Sequence, residues 1–211
     1  MTRDEYGYHS PVLLAFDWLF HAFGTLDSVS PSWPVATARQ VHGATVLHAG
    51  GAGVQGEADG LITDTPGLLL GIRTADCFPV LIADPEHRAI AAVHAGWRGV
   101  AAGIVPAALS GMRRNFGSVS KNLEVAIGPG IGPCCFEVGP EVAVQFGREG
   151  RVHLDLETEI ARQCRDSGVP DQQVNAAHLC TFCDPREFHS FRHQGLAAGR
   201  MISVIGVLKH K

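Results

Sequence analysis

The sequence has no uninterrupted apolar run approaching the ~20 residues that a helix needs to cross a bilayer, which excludes a membrane-spanning helix. The N-terminal MTRDEYGYHS mixes charges of both signs and lacks the apolar core of a secretory signal. A soluble, cytoplasmic protein with no membrane partner is expected. Charged residues make up only 18% of the chain, the net charge is −4, and no Lys/Arg cluster or basic stripe is present. Nucleic-acid binding is therefore not expected, although local arginines can still hold an anionic substrate. There is no internal repeat, no low-complexity tract and no linker, so residues 1–211 are expected to form one domain, by default a monomer. Six cysteines among 211 residues without an export signal point to reduced thiols rather than a disulfide framework.

What is present centres on Leu68–Met112. Apolar runs at Leu68–Ile72 and Pro79–Ala83 flank Cys77, and a third, Ala89–Val93, delivers His94 at its end. After Gly99 the spacing of Val100, Ile104, Ala108 and Met112 predicts a helix. Strands are also predicted towards Trp18–Phe23 and at Thr45–His48, Leu61–Thr63, Leu123–Ile127 and Met201–Leu208, with helices at Glu141–Gly147 and Leu156–Ser167. Gly51–Gly60 reads as turn chemistry throughout. Strands mixed with helices, without regular βαβ alternation, indicate an α/β or α+β layered fold.

His42, Cys77 and His94 each sit beside a glycine or at an element's end. One thiolate and two neutral imidazoles make a three-ligand set for Zn²⁺ that leaves the fourth position open, as catalytic zinc requires. The competing reading is a core cysteine with two hydrogen-bonded histidines. A rival, local set is His178, Cys180, Cys183 and His189, which contains one C-x-x-C and could close around a structural zinc. Cys134 and Cys135 read as packing thiols, with a nucleophilic role for Cys135 if a base lies close by. Arg39, Arg73, Arg98, Arg192 and Arg200 fall within or beside glycine-containing turns, where they suit phosphate or carboxylate capture. Gly128, Gly130 and Gly132 follow a strand, but interleaved prolines make a poor dinucleotide fingerprint.

Taken in order, RQVHG (Arg39–Gly43), EADGLITDTPGLLLGIRTADCFPVLIAD (Glu57–Asp84), AAVHAGWRGVAAGI (Ala91–Ile104), AIGPGIGPCCFEVGPEV (Ala126–Val142), LDL (Leu154–Leu156), CT (Cys180–Thr181), FR (Phe191–Arg192) and GRM (Gly199–Met201) closely resemble the purine nucleoside phosphorylase family formerly labelled laccase-like polyphenol oxidoreductases. The resemblance covers roughly residues 36–208. It implies that His42, Cys77 and His94 bind zinc, rather than copper, and carry the chemistry. It also implies an α+β fold: a β-sandwich of mixed sheets flanked by helices in α/β/β/α layers, similar to the Cys–His hydrolase-like catalytic domain of a deamidating toxin. The implied activity is phosphate-dependent cleavage of adenosine, inosine and methylthioadenosine, with adenosine deamination as a further activity. The chain departs from the family pattern in a shorter N-terminal segment, in Ile160 where an Asn is usual, and in His189 and His193 where Phe and Arg are usual.

Nucleoside and phosphate are thus the expected partners. Arg39 and Arg98 are candidate phosphate or ribose contacts. Asp76 is a candidate carboxylate orienting a ligand imidazole, or else a turn cap. Neither H-x-E nor P-C-x-x-C occurs, so deamination needs a proton shuttle unlike that of the Cys-rich zinc deaminases. Alternatives are a metal- or Cys77-dependent amidase editing cell-wall peptide precursors, and a non-catalytic binding protein stabilised by zinc. A polyphenol oxidase is disfavoured because three N/S ligands cannot supply a four-copper set.

Overall fold

In the computed structural model, which describes residues 1–209, the central strands divide their side chains between two cores. Along Phe78–Asp84, Phe78, Val80 and Ile82 join one core while Leu81 and Ala83 join the other. Along Ala89–Ala95, Ala91 and Val93 alternate in the same way with Ile90 and Ala92. A strand buried on both faces reads as a continuous apolar run, which is why these two were legible in the sequence.

They form the middle of a six-stranded mixed sheet in the order Val174–Ala176, Glu124–Ile127, Phe78–Asp84, Ala89–Ala95, Gly60–Thr63, Val46–His48. The outermost pair at each end is parallel and the inner pairs are antiparallel. A five-stranded sheet, ordered Leu19–Ala22, Met201–Val207, Leu69–Thr74, Val35–Arg39, Gly53–Glu57, packs on one face. Leu70, Ile72, Ile205 and Val207 fill the core between the sheets. Helices Ile104–Phe116 and Leu156–Asp166 cover the opposite face, burying Ile104, Ala108, Met112 and Ile160, Cys164 respectively. The result is the mixed α+β sandwich that the sequence led us to expect. Among the described residues no helix is long and apolar enough to cross a membrane.

Three local expectations are corrected. The helix expected after Gly99 is two: Trp97–Ala101 already spans Gly99, and Ile104–Phe116 begins after Gly103, whose φ of 81° lies in the left-handed region that interrupts a helix. Gly51–Gly60 is not turn throughout, because Gly53–Glu57 pairs in parallel with Val35–Arg39 at the sheet edge. That strand is exposed at Gly53, Val54 and Glu57 and so carries no apolar alternation to announce it. Glu141–Gly147 holds a single α-turn, Pro140–Ala143, followed by the 3₁₀ turn Val144–Phe146.

Candidate active site

The antiparallel pairing of Phe78–Asp84 with Ala89–Ala95 sets Phe78 opposite Ala95 and Pro79 opposite His94. Cys77, one residue before its strand, is therefore carried to the end of the neighbouring strand where His94 projects. Gly96 makes the approach possible: a Cβ there would lie 2.8 Å from Cys77 Sγ and 3.3 Å from His42 Cδ2. The third member, His42, arrives from the loop after Val35–Arg39, with its ring centroid 4.8 Å from that of His94. The ligand atoms of His42, Cys77 and His94 all lie within 4.8 Å of one another. His42 is exposed, Cys77 half-buried and His94 buried, so the cluster opens outward through His42.

Both histidines are set by one residue that the sequence reading passed over. Asp59 is fully buried just before strand Gly60–Thr63. Its Oδ1 accepts the amide N–H of His42 at 2.9 Å and lies 2.7 Å from His94 Nδ1. Its Oδ2 accepts from Gly43 at 2.7 Å and Val41 at 3.2 Å, and its carbonyl accepts the His94 amide at 2.7 Å. The loop needs this clamp, because His42 sits at φ 60°, an uncommon conformation for a residue with a side chain. With Nδ1 on Asp59, His94 has Nε2 left to present to the cluster. Burial opposes ionisation of Asp59, but hydrogen bonds from His94 and the Gly43 amide outweigh it and hold the carboxyl below its usual value. Burial likewise pushes the Cys77 thiol up, yet contacts with His42 and His94 prevail and bring it down to about 7. His94, disfavoured as a cation by burial, is raised to about 9 by Asp59 and Cys77. Two imidazoles and an easily ionised thiol on one open face form a fitting donor set for a divalent metal.

Asp76 therefore does not orient an imidazole. Its Oδ1 accepts the Thr181 hydroxyl at 2.7 Å, its Oδ2 accepts the Arg192 amide at 2.7 Å, and its carbonyl accepts the Ile131 amide at 2.8 Å. At φ 83°, it ties three loops together beside Cys77. No sequence signal separates Asp59 from Asp76, since the partners of both lie far along the chain.

The cluster opens into a cleft of about 950 Å³. All five arginines singled out from the sequence line it: Arg39, Arg73, Arg98, Arg192 and Arg200. Arg192 Nη1 donates to the carbonyls of Cys135 and Glu137, and Arg200 Nη1 to those of Ala198 and Gly199. Arg39 forms an exposed ion pair with Glu57. Among the described residues Arg73 and Arg98 have no acidic partner; Arg98 lies 4.4 Å over the Trp97 ring. Phe136 and Phe191 add aromatic surface. The rival set His178, Cys180, Cys183 and His189 does not assemble. His178 Nδ1 bonds Glu157 at 2.5 Å, and His189 Nδ1 faces Gln194 Oε1 at 3.4 Å. Cys180 and Cys183 instead meet Cys134 and Cys135.

Residues 24–208 match the model of a family described as multi-copper polyphenol oxidoreductase laccase. A purine nucleoside phosphorylase of Bacteroides thetaiotaomicron is 41% identical over 167 residues, 72% of this chain and 61% of that protein. One from Deinococcus radiodurans is 41% identical over 182 residues, covering 82% and 70%. A protein named adenosine deaminase RL5, from an unknown prokaryotic organism, is 32% identical over 161 residues, covering 70% of this chain and 61% of the relative. Among solved structures, YlmD from Geobacillus stearothermophilus superposes with a TM-score of 0.79 at 30% identity, covering 85% of this chain and 75% of that one. The chain thus spans about three fifths of the length of the Bacteroides relative.

Proposed function

The chain belongs to the multi-copper polyphenol oxidoreductase laccase family, and from that footing we propose that it is a zinc-dependent purine nucleoside phosphorylase acting on adenosine, inosine and methylthioadenosine, with adenosine deamination as a side activity. The observation that carries this reading is the opening of a three-donor cluster into a cleft lined by five arginines. Such a cleft suits a phosphate dianion and a neutral, aromatic co-substrate.

Zinc fits the donor set better than copper. A blue-copper site adds a weak axial ligand such as Met or Gln to His₂Cys. Among the described residues no methionine lines the cleft, and the amide of Gln40 is committed to both the N–H and the carbonyl of Arg73. His42, Cys77 and His94 would hold the ion, which when bound supplies Lewis-acid polarisation of a ligand oxygen. The rest of the work falls to the protein. In phosphorolysis a C1′–O bond to phosphate forms as the C1′–N9 bond breaks, and the purine departs with the electron pair and takes up a proton. Arg73 and Arg98, without an acidic partner among the described residues, can bind and align phosphate. Arg39 can exchange its exposed ion pair with Glu57 for a phosphate at little cost. Trp97, Phe136 and Phe191 offer apolar surface to the base.

A second reading rests on Asp59–His94–Cys77, which has the order of a carboxylate, an imidazole and a thiol in nucleophilic hydrolases. It corresponds to an amidase acting without metal. Chromatography of adenosine, inosine and methylthioadenosine incubated with the protein, with and without phosphate, separates the two. Free base released only with phosphate supports the proposal. Thiol-dependent amide cleavage by metal-free protein, with no nucleoside turned over, favours the second reading.

A further inference from the structure

The four cysteines outside the cleft's donor cluster that are not in the helical core converge. Cys134 and Cys135 follow Gly132-Pro133, and Cys180 and Cys183 lie on the loop after strand Val174–Ala176. A β-bridge between Gly130 and Cys180 lays the two segments side by side, with the Thr181 amide donating to the Gly130 carbonyl at 2.9 Å. The sulfurs of Cys134 and Cys135 are 3.6 Å apart, those of Cys134 and Cys183 3.5 Å, and those of Cys135 and Cys183 3.4 Å. All four sulfurs lie within 4.8 Å of one another. Zinc–thiolate bonds of ~2.3 Å in a tetrahedron place the sulfurs about 3.8 Å apart, so the arrangement already approximates the edges of such a centre.

We propose that Cys134, Cys135, Cys180 and Cys183 bind a second zinc ion in a closed, structural site separate from the cluster in the cleft. Near-equal separations among three of the sulfurs single out no pair for a disulfide. The Gly132 amide donates to Cys180 Sγ at 3.2 Å, the kind of backbone donor that a thiolate ligand accepts. Four thiolates around one Zn²⁺ form a net dianion, and Arg192 brings compensating charge, its Nη1 donating to the Cys135 carbonyl at 3.3 Å. His153 Nδ1 holds the Pro133 carbonyl at 2.6 Å and so fixes the approach to the Cys134–Cys135 pair.

Position gives the site a consequence. Ile131 and Phe136, on either side of Cys134–Cys135, line the cleft. Thr181, next to Cys180, bonds Asp76, which precedes Cys77. A metal clasp here would hold the cleft wall at Cys134–Cys135 against the Cys180–Cys183 loop, which leads on to the helix Phe191–Gln194 that carries Arg192. This inference concerns the cysteine cluster alone and stands whether or not the protein acts on nucleosides.

The test is metal analysis of untagged protein purified under reducing conditions without chelator. Two zinc ions per chain are expected, falling to one in Cys77→Ser and to one in either Cys134→Ser or Cys183→Ser. Cobalt-substituted Cys77→Ser protein should show the intense thiolate-to-cobalt absorption of a four-sulfur tetrahedral site. That measurement leaves the second cluster intact and so does not depend on whether its variants fold. A single zinc lost in Cys77→Ser and retained in Cys183→Ser would overturn the proposal. So would the loss of two titratable thiols per chain in denaturant, which would mark a disulfide in place of the metal.

Discussion

Replacing Asp59 by Asn tests the construction of the cleft cluster, because no orientation of an amide satisfies what the carboxylate satisfies. Oδ1 serves the His42 amide and His94 Nδ1, and Oδ2 serves the amides of Gly43 and Val41. With the amide oxygen in the Oδ1 position, the NH₂ group confronts the Gly43 and Val41 donors and the His42 loop loosens. With the amide reversed, His94 loses its anchor. Either way one histidine of the cluster is released. Hydrogen bonds to a charged group contribute roughly 1.5–3 kcal/mol each, so losing two costs about 3–6 kcal/mol of a total stability that is typically ~5–15 kcal/mol. A residue holding a ligand imidazole is worth about 10- to 100-fold in metal affinity. Asp59→Asn is therefore expected to unfold at markedly lower urea concentration and to bind zinc at least tenfold more weakly in competition with a chromophoric chelator. Asp64→Asn, at an exposed position just past the same strand, is the control and should move stability by less than about 0.5 kcal/mol. Zinc affinity within threefold of wild type in folded Asp59→Asn would refute the reasoning.

Other perturbations probe the remaining parts. Gly96→Ala puts a methyl 2.8 Å from Cys77 Sγ, and should cost about 1–3 kcal/mol of stability together with measurable zinc affinity; retention of both would mean that the strand end yields freely. Arg73→Ala and Arg98→Ala should each raise the phosphate KM about 10- to 100-fold, the value of a lost charge-assisted contact, with a smaller effect on the nucleoside KM; equal effects on both substrates would remove them from the phosphate site. His21 is 2% exposed, with Nε2 accepting the Ser10 amide at 2.9 Å, and burial followed by the neighbouring His9 lowers it from 6.5 to about 3. The unfolded chain then takes up a proton below pH 6.5 that the folded chain refuses until about pH 3, so stability falls with pH across that window by up to ~1.4 kcal/mol per unit. His21→Gln should flatten this part of the urea-midpoint profile, and parallel profiles would assign the acid lability to another group.

The strands around Cys77 and His94 could be read directly because both their faces are buried, which writes an unbroken apolar run into the sequence. The edge strand Gly53–Glu57 could not, since exposed positions carry no such pattern. Of the cleft cluster, the three donor residues were legible as residue types beside a glycine or at an element's end. Asp59 was not: its donors lie 16 to 18 residues upstream in the His42 loop and 35 residues downstream at His94. The cysteine cluster was misread for a related reason. Local spacing drew His178 and His189 into the C-x-x-C, while the actual partners lie 48 and 49 residues away and meet through a single β-bridge.

Two residues at the cleft cluster, His42 at φ 60° and Asp76 at φ 83°, occupy backbone conformations that cost roughly 1–3 kcal/mol each outside glycine. Each is offset by a buried carboxylate: Asp59 gathers three consecutive amides of the His42 loop, and Asp76 binds Thr181 and Arg192 with its own side chain. Neither arrangement needs an ion to form, since every donor and acceptor in it belongs to the protein. The strain is thus held by hydrogen bonds within the fold, and the candidate ligand atoms of His42, Cys77 and His94 lie within 4.8 Å of one another. Metal binding here should accordingly resemble the filling of a prepared site, with little change in the amide signals of Val41, His42 and Gly43, whereas a cluster organised by its ion would show those amides shifting or exchanging widely between metal-free and loaded protein.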